Sequence, residues 1–527
     1  MTEWCAVCHA GATQCCSSCH SVFYCSREHQ KQHWKFHKVQ CVPCKLNFSA
    51  ELGYHTVATR DIQQGEIILK EDPVILGPKI VSLPVCLGCG RRIKTAEGTE
   101  IYKCSSCGWP LCGPHCKTSP LHVPECNLMK ERGFHANINI HGSKKEAAYC
   151  SITPLRCLLL KTEDPNKYET IMKLQSHLEK RKDTALYNVF KNNIVGFLRN
   201  ALGMTEFSEE TILKVTAILD TNSFEIRRSE GDIKIRGLYP KAAMLSHDCK
   251  PNTKHTFRGS QFTLELVSTV PIKKGEIICV TYTQTLWGTL ARREHLKQSK
   301  CFDCTCERCS DAAELGTYLG AINCSQCKKS DAKAQSKMIS TNPLEATAPW
   351  KCEVCSHTIP GRQMAWGNDA IRQEIASLDK TKPQVLEEFL NKYKDALHPT
   401  NGHVLEVKYA LSQMYGNMQK FLLSELSDKL LERKISLCTE LLAVADILDP
   451  GATRLRGLLL YDLQAAMVVR AKRDLASDKI TKTVAQDIMA ESMTLLQQAA
   501  AILKTEEDMA QLLADKLANL SKELEFE

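Results

Sequence analysis

Ser246-His247-Asp248-Cys249-Lys250-Pro251-Asn252 and, further on, Cys304-Thr305-Cys306-Glu307-Arg308-Cys309 are the two stretches on which the reading of the whole chain turns. Between them lie two strand-like runs, Phe262-Thr263-Leu264-Glu265-Leu266-Val267 and Ile277-Ile278-Cys279-Val280-Thr281-Tyr282, with a turn at Lys274-Gly275. Structural zinc sites are closed and tetrahedral, so the three cysteines of the tail need a fourth ligand. Cys249 is the natural donor. That choice brings the loop carrying His247 and Asn252 beside the cysteine tail and closes a pocket whose wall includes Tyr282.

Working outward, the chain has 527 residues, 43% of them hydrophobic, enough for several cores and three or four domains. No run of about 18 apolar residues occurs and the N-terminus lacks a charged-then-apolar leader, so neither a membrane span nor secretion is expected. The expectation is a monomer in cytoplasm and nucleus. Twenty-eight cysteines in a large chain of this kind read, by their spacing, as metal ligands rather than disulfides. The net charge of +8 is not gathered into one basic run, which argues against direct nucleic-acid binding.

The ligand-type residues fall in pairs. Residues 1–44 hold Cys5-x2-Cys8, Cys16-x2-Cys19, Cys25-x3-His29 and His37-x3-Cys41. Four such pairs can close two tetrahedra if the first and third share one metal and the second and fourth the other. Four pairs ending in His-x3-Cys return as Cys86-x2-Cys89, Cys104-x2-Cys107, Cys112-x3-Cys116 and His122-x3-Cys126. Cys324-x2-Cys327 and Cys352-x2-Cys355 form a four-cysteine ribbon signal. With Cys249, Cys304, Cys306 and Cys309 this gives six zinc sites, using 21 cysteines plus His29, His37 and His122. The remaining seven, Cys15, Cys44, Cys150, Cys157, Cys279, Cys301 and Cys438, read as buried or incidental thiols.

Between the metal motifs, Thr56 to Ile62 and Glu66 to Lys70 read as two strands around a Gln64-Gly65 turn. Tyr168, Ile171, Met172, Leu174 and Leu178 recur at helical spacing. From about residue 363 cysteine nearly vanishes and amphipathic patterns broken at Lys382-Pro383, His398-Pro399 and Pro450-Gly451 predict antiparallel helices.

The series Tyr239-Pro240, His247, Cys249, Pro251-Asn252, Gly275-Glu276, Tyr282 and Phe302 through Cys309 resembles the core of a SET-domain methyltransferase of the SET-and-MYND (Smyd) family, with Ser246 where the family has Asn and Asp248 where it has Ser. The paired ligands, with Phe23-Tyr24-Cys25 and His33-Trp34, resemble a MYND finger, and the extra N-terminal copy resembles the arthropod branch. The resemblance implies an α+β multidomain fold: a MYND finger over 1–45, the first part of the SET domain over 46–84, an inserted second MYND-like module over 85–130, and a helical insert over 131–215. It continues with the SET core over 216–295, a post-SET zinc site over 296–311, a zinc ribbon over 320–360 and a helical, tetratricopeptide-like domain over 363–527. It further implies S-adenosylmethionine-dependent methylation of protein lysine. Tyr282 then has the catalytic role, and Gly53, His55, Ser246, His247, Asn252, Tyr282 and Phe302 border the cofactor. Gly53 and His55 stand at the family's Gly-x-Gly, so an imidazole occupies the second glycine position. Phe224 and Tyr239 would wall the lysine channel, and Gln30, His33 and Trp34 would face proline-containing peptides. The competing expectation is a scaffold or corepressor that keeps the fold but binds cofactor poorly.

Overall fold

The computed structural model describes residues 4–38, 41–79, 83–93, 101–138, 147–227, 234–331, 336–504 and 506–526. Parts of the 85–130 and 131–215 segments, residues 94–100 and 139–146, therefore lie outside the described residues. The chain forms two compact units. One joins Met1–Ile68, Ser246–Lys254 and Val267–Glu527; the other joins Leu69–Leu245 and His255–Leu266.

In the first unit, two-residue strands Gln14–Cys15 and Phe23–Tyr24 pair ahead of a helix, Arg27–His37. Ser26 caps that helix, its hydroxyl accepting from the amide of His29, which meets one of the donors a helix start leaves open. Strand Cys44–Ser49 then pairs with Gly53–Ala58. Here the structure differs from the expected hairpin over residues 56–70. Strands do form at Gly53–Ala58 and Ile67–Glu71, but the first pairs with the strand before it. The reason is that residues 59–66 spend their backbone bonds elsewhere: Ile62 exchanges with Ile272, and Gly65 donates to Ser268. The turn itself exists, with Glu66 N–H closing on Gln63 and Gly65 at φ +81°.

The run 277–282 is strand only at Cys279–Val280, which pairs parallel with Ser246–His247. Ile278 instead donates to Thr56 at 2.8 Å. Helix Thr289–Lys300 leads into the cysteine tail, and a four-stranded antiparallel sheet follows from Ile322–Asn323 through Lys337–Ser340, Trp350–Cys352 and Thr358–Ile359.

From Gly361 onward the elements among the described residues are helices joined by loops, and the last four, Asp428–Leu448, Arg454–Ala476, Lys482–Leu503 and Glu507–Phe526, pack in succession. The first three of these are capped by Ser427, Thr453 and Thr481, each accepting from the amide three residues on. Leu441, Leu448, Leu459, Leu496, Ala499 and Leu503 fill their shared core, which Leu286 and Leu319 also enter. Gly451 makes a close approach possible: at φ +85°, a Cβ there would stand 2.0 Å from the carbonyl of Thr269. Cys438 belongs to this core and Cys279 is buried in the loop-strand pair; in the second unit Cys150 and Cys157 are buried too.

The second unit centres on a sheet in which Lys234–Leu238 lies between Ile75–Pro78 and Phe224–Arg227. Helices Ile152–Glu163 and Glu209–Asn222 pack together, burying Ile152, Leu155, Leu158, Ile212, Val215 and Leu219. Among the described residues no helix is long and apolar enough to cross a membrane.

Candidate functional site

The loop 246–252 is held against the 277–282 segment by side chains of its own. Asn252 donates its amide to the carbonyl of Ile277 at 2.8 Å and accepts the Cys279 N–H at 2.9 Å, while Thr253 donates to the carbonyl of Cys279 at 2.7 Å. With the loop so pinned, His247 Nδ1 accepts the backbone N–H of Tyr282 at 3.0 Å. Its proton therefore sits on Nε2, 3.2 Å from the sulfur of Cys249. Burial pulls His247 down to about 4, so the ring is neutral at neutral pH. The His247 ring lies 5.2 Å from that of Tyr282 and 5.9 Å from that of Phe302. Tyr282 is half-buried, and burial, then Cys279, pushes its phenol up to about 12, so it keeps its proton. Lys300 Nζ stands over its ring at 5.3 Å.

Of the other expected cofactor residues, Ser246 lies beside Cys279 in the parallel pair. Gly53 adopts φ +67° and has open space on its Cβ side. His55 is buried in the hairpin, Nδ1 at 3.0 Å from the carbonyl of Gly53 and Nε2 at 3.4 Å from the Asn47 amide. Phe224 and Tyr239 fall in the second unit, their rings 5.8 Å apart. Tyr239 is buried and donates its hydroxyl to the carbonyl of Phe262 at 2.6 Å. Sequence reading missed their neighbours His255, whose ring is 5.1 Å from Phe224, and Phe257. The alternation of His255 and Phe257 along one strand face is the signal that could have found them.

Each predicted metal tetrad converges. The ligand atoms of Cys5, Cys8, Cys25 and His29, of Cys16, Cys19, His37 and Cys41, and of Cys249, Cys304, Cys306 and Cys309 all lie within 4.8 Å of one another. So do those of Cys86, Cys89, Cys112 and Cys116, and of Cys104, Cys107, His122 and Cys126. Cys324 meets Cys355 at 3.5 Å and Cys327 meets Cys352 at 3.7 Å. A disulfide needs about 2.05 Å, whereas thiolates about 2.3 Å from one tetrahedral zinc stand about 3.8 Å apart. The observed sulfur contacts, from 3.4 to 3.7 Å, suit the second and exclude the first. His29 presents Nδ1, while His37 and His122 present Nε2. These are Cys/His zinc-binding sites.

Around Cys249 the structure adds three residues that sequence reading missed: Arg292, Arg308 and Glu314, all buried and joined in ion pairs. Their signal was faint. Arg292 stands four residues before buried Leu296, on the inward face of its helix, where an arginine needs a partner.

Compared with known proteins, residues 5–41 match the MYND finger family and residues 53–283 match the SET domain family. SET domain-containing protein SmydA-8, isoform B, of Drosophila melanogaster is 26% identical over 421 residues, covering 78% of this chain and 88% of that one. Histone-lysine N-methyltransferase ASHR1 of Arabidopsis thaliana is 28% identical over 49% of this chain and 53% of its own length. Histone-lysine N-methyltransferase SMYD3 of Mus musculus is 26% identical over 50% of this chain and 60% of its own. Among solved structures, the SET domain of LSMT bound to lysine and AdoHcy covers 94% of this chain at 14% identity with a TM-score of 0.23, too slight a likeness to bear on the fold. With a match to the MYND finger followed by a match to the SET domain, and this similarity to SmydA-8 and SMYD3, this chain is a SET-and-MYND family protein.

Proposed function

We propose that this chain transfers a methyl group from S-adenosylmethionine to a lysine side chain of a protein. The observation that carries the reading is the packing of His247, Tyr282 and Phe302 around a loop pinned to the 277–282 segment. The donor set suits the cofactor: Gly53 leaves open space on its Cβ side, and the imidazole of His55 is engaged with Asn47 and Gly53. S-adenosylmethionine supplies an electrophilic methyl carbon when bound. The chain's own task is to align a neutral amine and keep water away. Tyr282, which keeps its proton, can orient the amine through its hydroxyl oxygen. His247 sets the position of that tyrosine by accepting its backbone N–H. Ser246, Asn252 and Phe302 complete the cofactor side, and Phe224 and Tyr239 wall the lysine channel. All six tetrads hold structural zinc, and the finger over 1–45 binds short proline-containing peptides, as exposed Trp34 suggests.

Calorimetry with S-adenosylmethionine, paired with methyl transfer from labelled cofactor to a lysine-peptide library, tests the reading. Tyr282→Phe is expected to abolish transfer and leave cofactor binding intact. The double change His55→Gly with Ser246→Asn is expected to tighten binding. If neither wild type nor the double variant takes up cofactor at high micromolar concentration, the scaffold reading replaces this one.

A further inference from the structure

Arg292 and Arg308 are fully buried, and a guanidinium stays charged at any pH a protein meets. Such a charge is costly inside a protein unless opposite charge meets it. Among the described residues the carboxylate beside them is that of Glu314, whose Oε2 lies 2.6 Å from Arg292 and 3.3 Å from Arg308. Buried Asp449 also bears on Arg308 electrostatically, but the ion pair of Arg292 is with Glu314, a carboxylate it must share with a second guanidinium. The rest of the balance comes from sulfur: Arg292 aims Nε at Cys249 Sγ, 3.2 Å away, and Nη2 at Cys309 Sγ, 3.4 Å away. Its remaining donors go to Glu314, the carbonyl of Trp287 and the hydroxyl of Thr289, so all five N–H groups have an acceptor. A thiol is a weak acceptor, whereas four thiolates around one zinc ion carry about two net negative charges and accept strongly. The arginine's geometry thus fits the metal-loaded tetrad rather than four neutral thiols.

We propose that Arg292 is a positioning residue for the metal held by Cys249, Cys304, Cys306 and Cys309. It supplies compensating charge and two N–H···S bonds. Through Glu314 it also ties the metal to the start of helix Thr289–Lys300, because Glu314 Oε1 accepts the Thr289 N–H at 2.9 Å. Cys249 in turn faces His247, so a loosened tetrad would disturb the His247–Tyr282 pair. This inference rests on the zinc reading of that tetrad.

Metal retention in the full chain tests it. Wild type and the variants Arg292→Met, Arg292→Gln and Arg292→Lys are exposed to rising zinc chelator, and the thiols released are alkylated and located by mass spectrometry. The two uncharged variants are expected to surrender Cys249, Cys304, Cys306 and Cys309 at about 10- to 100-fold less chelator. Cys324, Cys327, Cys352 and Cys355 should hold as in wild type, and the lysine variant should recover most of the retention by keeping the charge. Equal protection of the four thiols in wild type and both uncharged variants overturns the proposal. Should those variants not fold, Glu314→Gln decides. It leaves the sulfur contacts and removes the competing carboxylate, so retention at or above wild type is expected and a loss overturns the charge assignment. Immediate alkylation of the four thiols in untreated wild type would instead sink the zinc reading beneath it.

Discussion

The finger at residues 5–41 and the segment at residues 86–126 each carry four ligand pairs in the same order, differing only in the third, which is Cys25-x3-His29 in one and Cys112-x3-Cys116 in the other, yet they are built into the molecule in opposite ways. In the finger, the buried residues are Cys5, Cys16, Cys19, Tyr24 and His37, so the centre is largely the ligand set itself. Its other large side chains face outward: Trp34 is 44% exposed and Phe36 62%. The 86–126 segment hides its tryptophan instead. Trp109 is fully buried, edge-on to Tyr149 at 5.0 Å, and Tyr149 donates its hydroxyl to the carbonyl of Val85 at 2.9 Å. Glu125, also fully buried, accepts from Arg156 at 3.0 Å, and Arg156 donates onward to the carbonyls of Leu76 and Leu87. Leu87 lies between the ligands Cys86 and Cys89, and Glu125 stands 3.6 Å from the ligand His122, so one ion pair braces both tetrads. The difference teaches that ligand spacing specifies the metal cages, while the surroundings decide whether a cage is a presented surface or part of a domain's core.

Metal loss should expose this contrast most strongly, since a structural zinc contributes on the order of 10 kcal/mol to a small module. Cys19→Ser is expected to open only residues 5–41 to protease, whereas Cys104→Ser should open the unit built on Leu69–Leu245; limited proteolysis read by mass spectrometry distinguishes them. Confined cleavage in both would break the comparison. Next in size are the packing and charge terms of the inserted segment. Trp109→Ala is expected to cost about 3–5 kcal/mol in urea unfolding, and Arg156→Met, which strands Glu125, about the same. The half-exposed Arg60–Glu66 pair beside the finger should contribute less than about 1 kcal/mol, so Arg60→Met serves as the contrasting measurement. The smallest stability effect belongs to Trp34→Ala, within about 0.5 kcal/mol. The same change should still weaken binding of proline-containing peptides in a fluorescence titration. A large stability loss there would show the tryptophan to be core after all.

Much of this molecule follows from residue order alone. The metal cages are local in their logic: Cys-x2-Cys and His-x3-Cys spacings pre-form half a tetrahedron each, and only certain halves can combine, so pairs such as Cys104-x2-Cys107 and His122-x3-Cys126 were legible before any fold was known. The helical end was legible too, because its apolar period and breakers are short-range signals. What the tertiary structure decided involves partners distant in sequence. Gly53–Ala58 pairs with the strand before it while the backbone of Ile62, Gly65 and Glu66 is bonded to Ile272 and Ser268, more than two hundred positions away. His247 acquires its tautomer from the amide of Tyr282, 35 positions on. Arg292, Arg308 and Glu314 look like ordinary surface residues in the sequence. Only folding brings two guanidiniums, one carboxylate and a cysteine cage together, where charge must balance because water is no longer there to screen it.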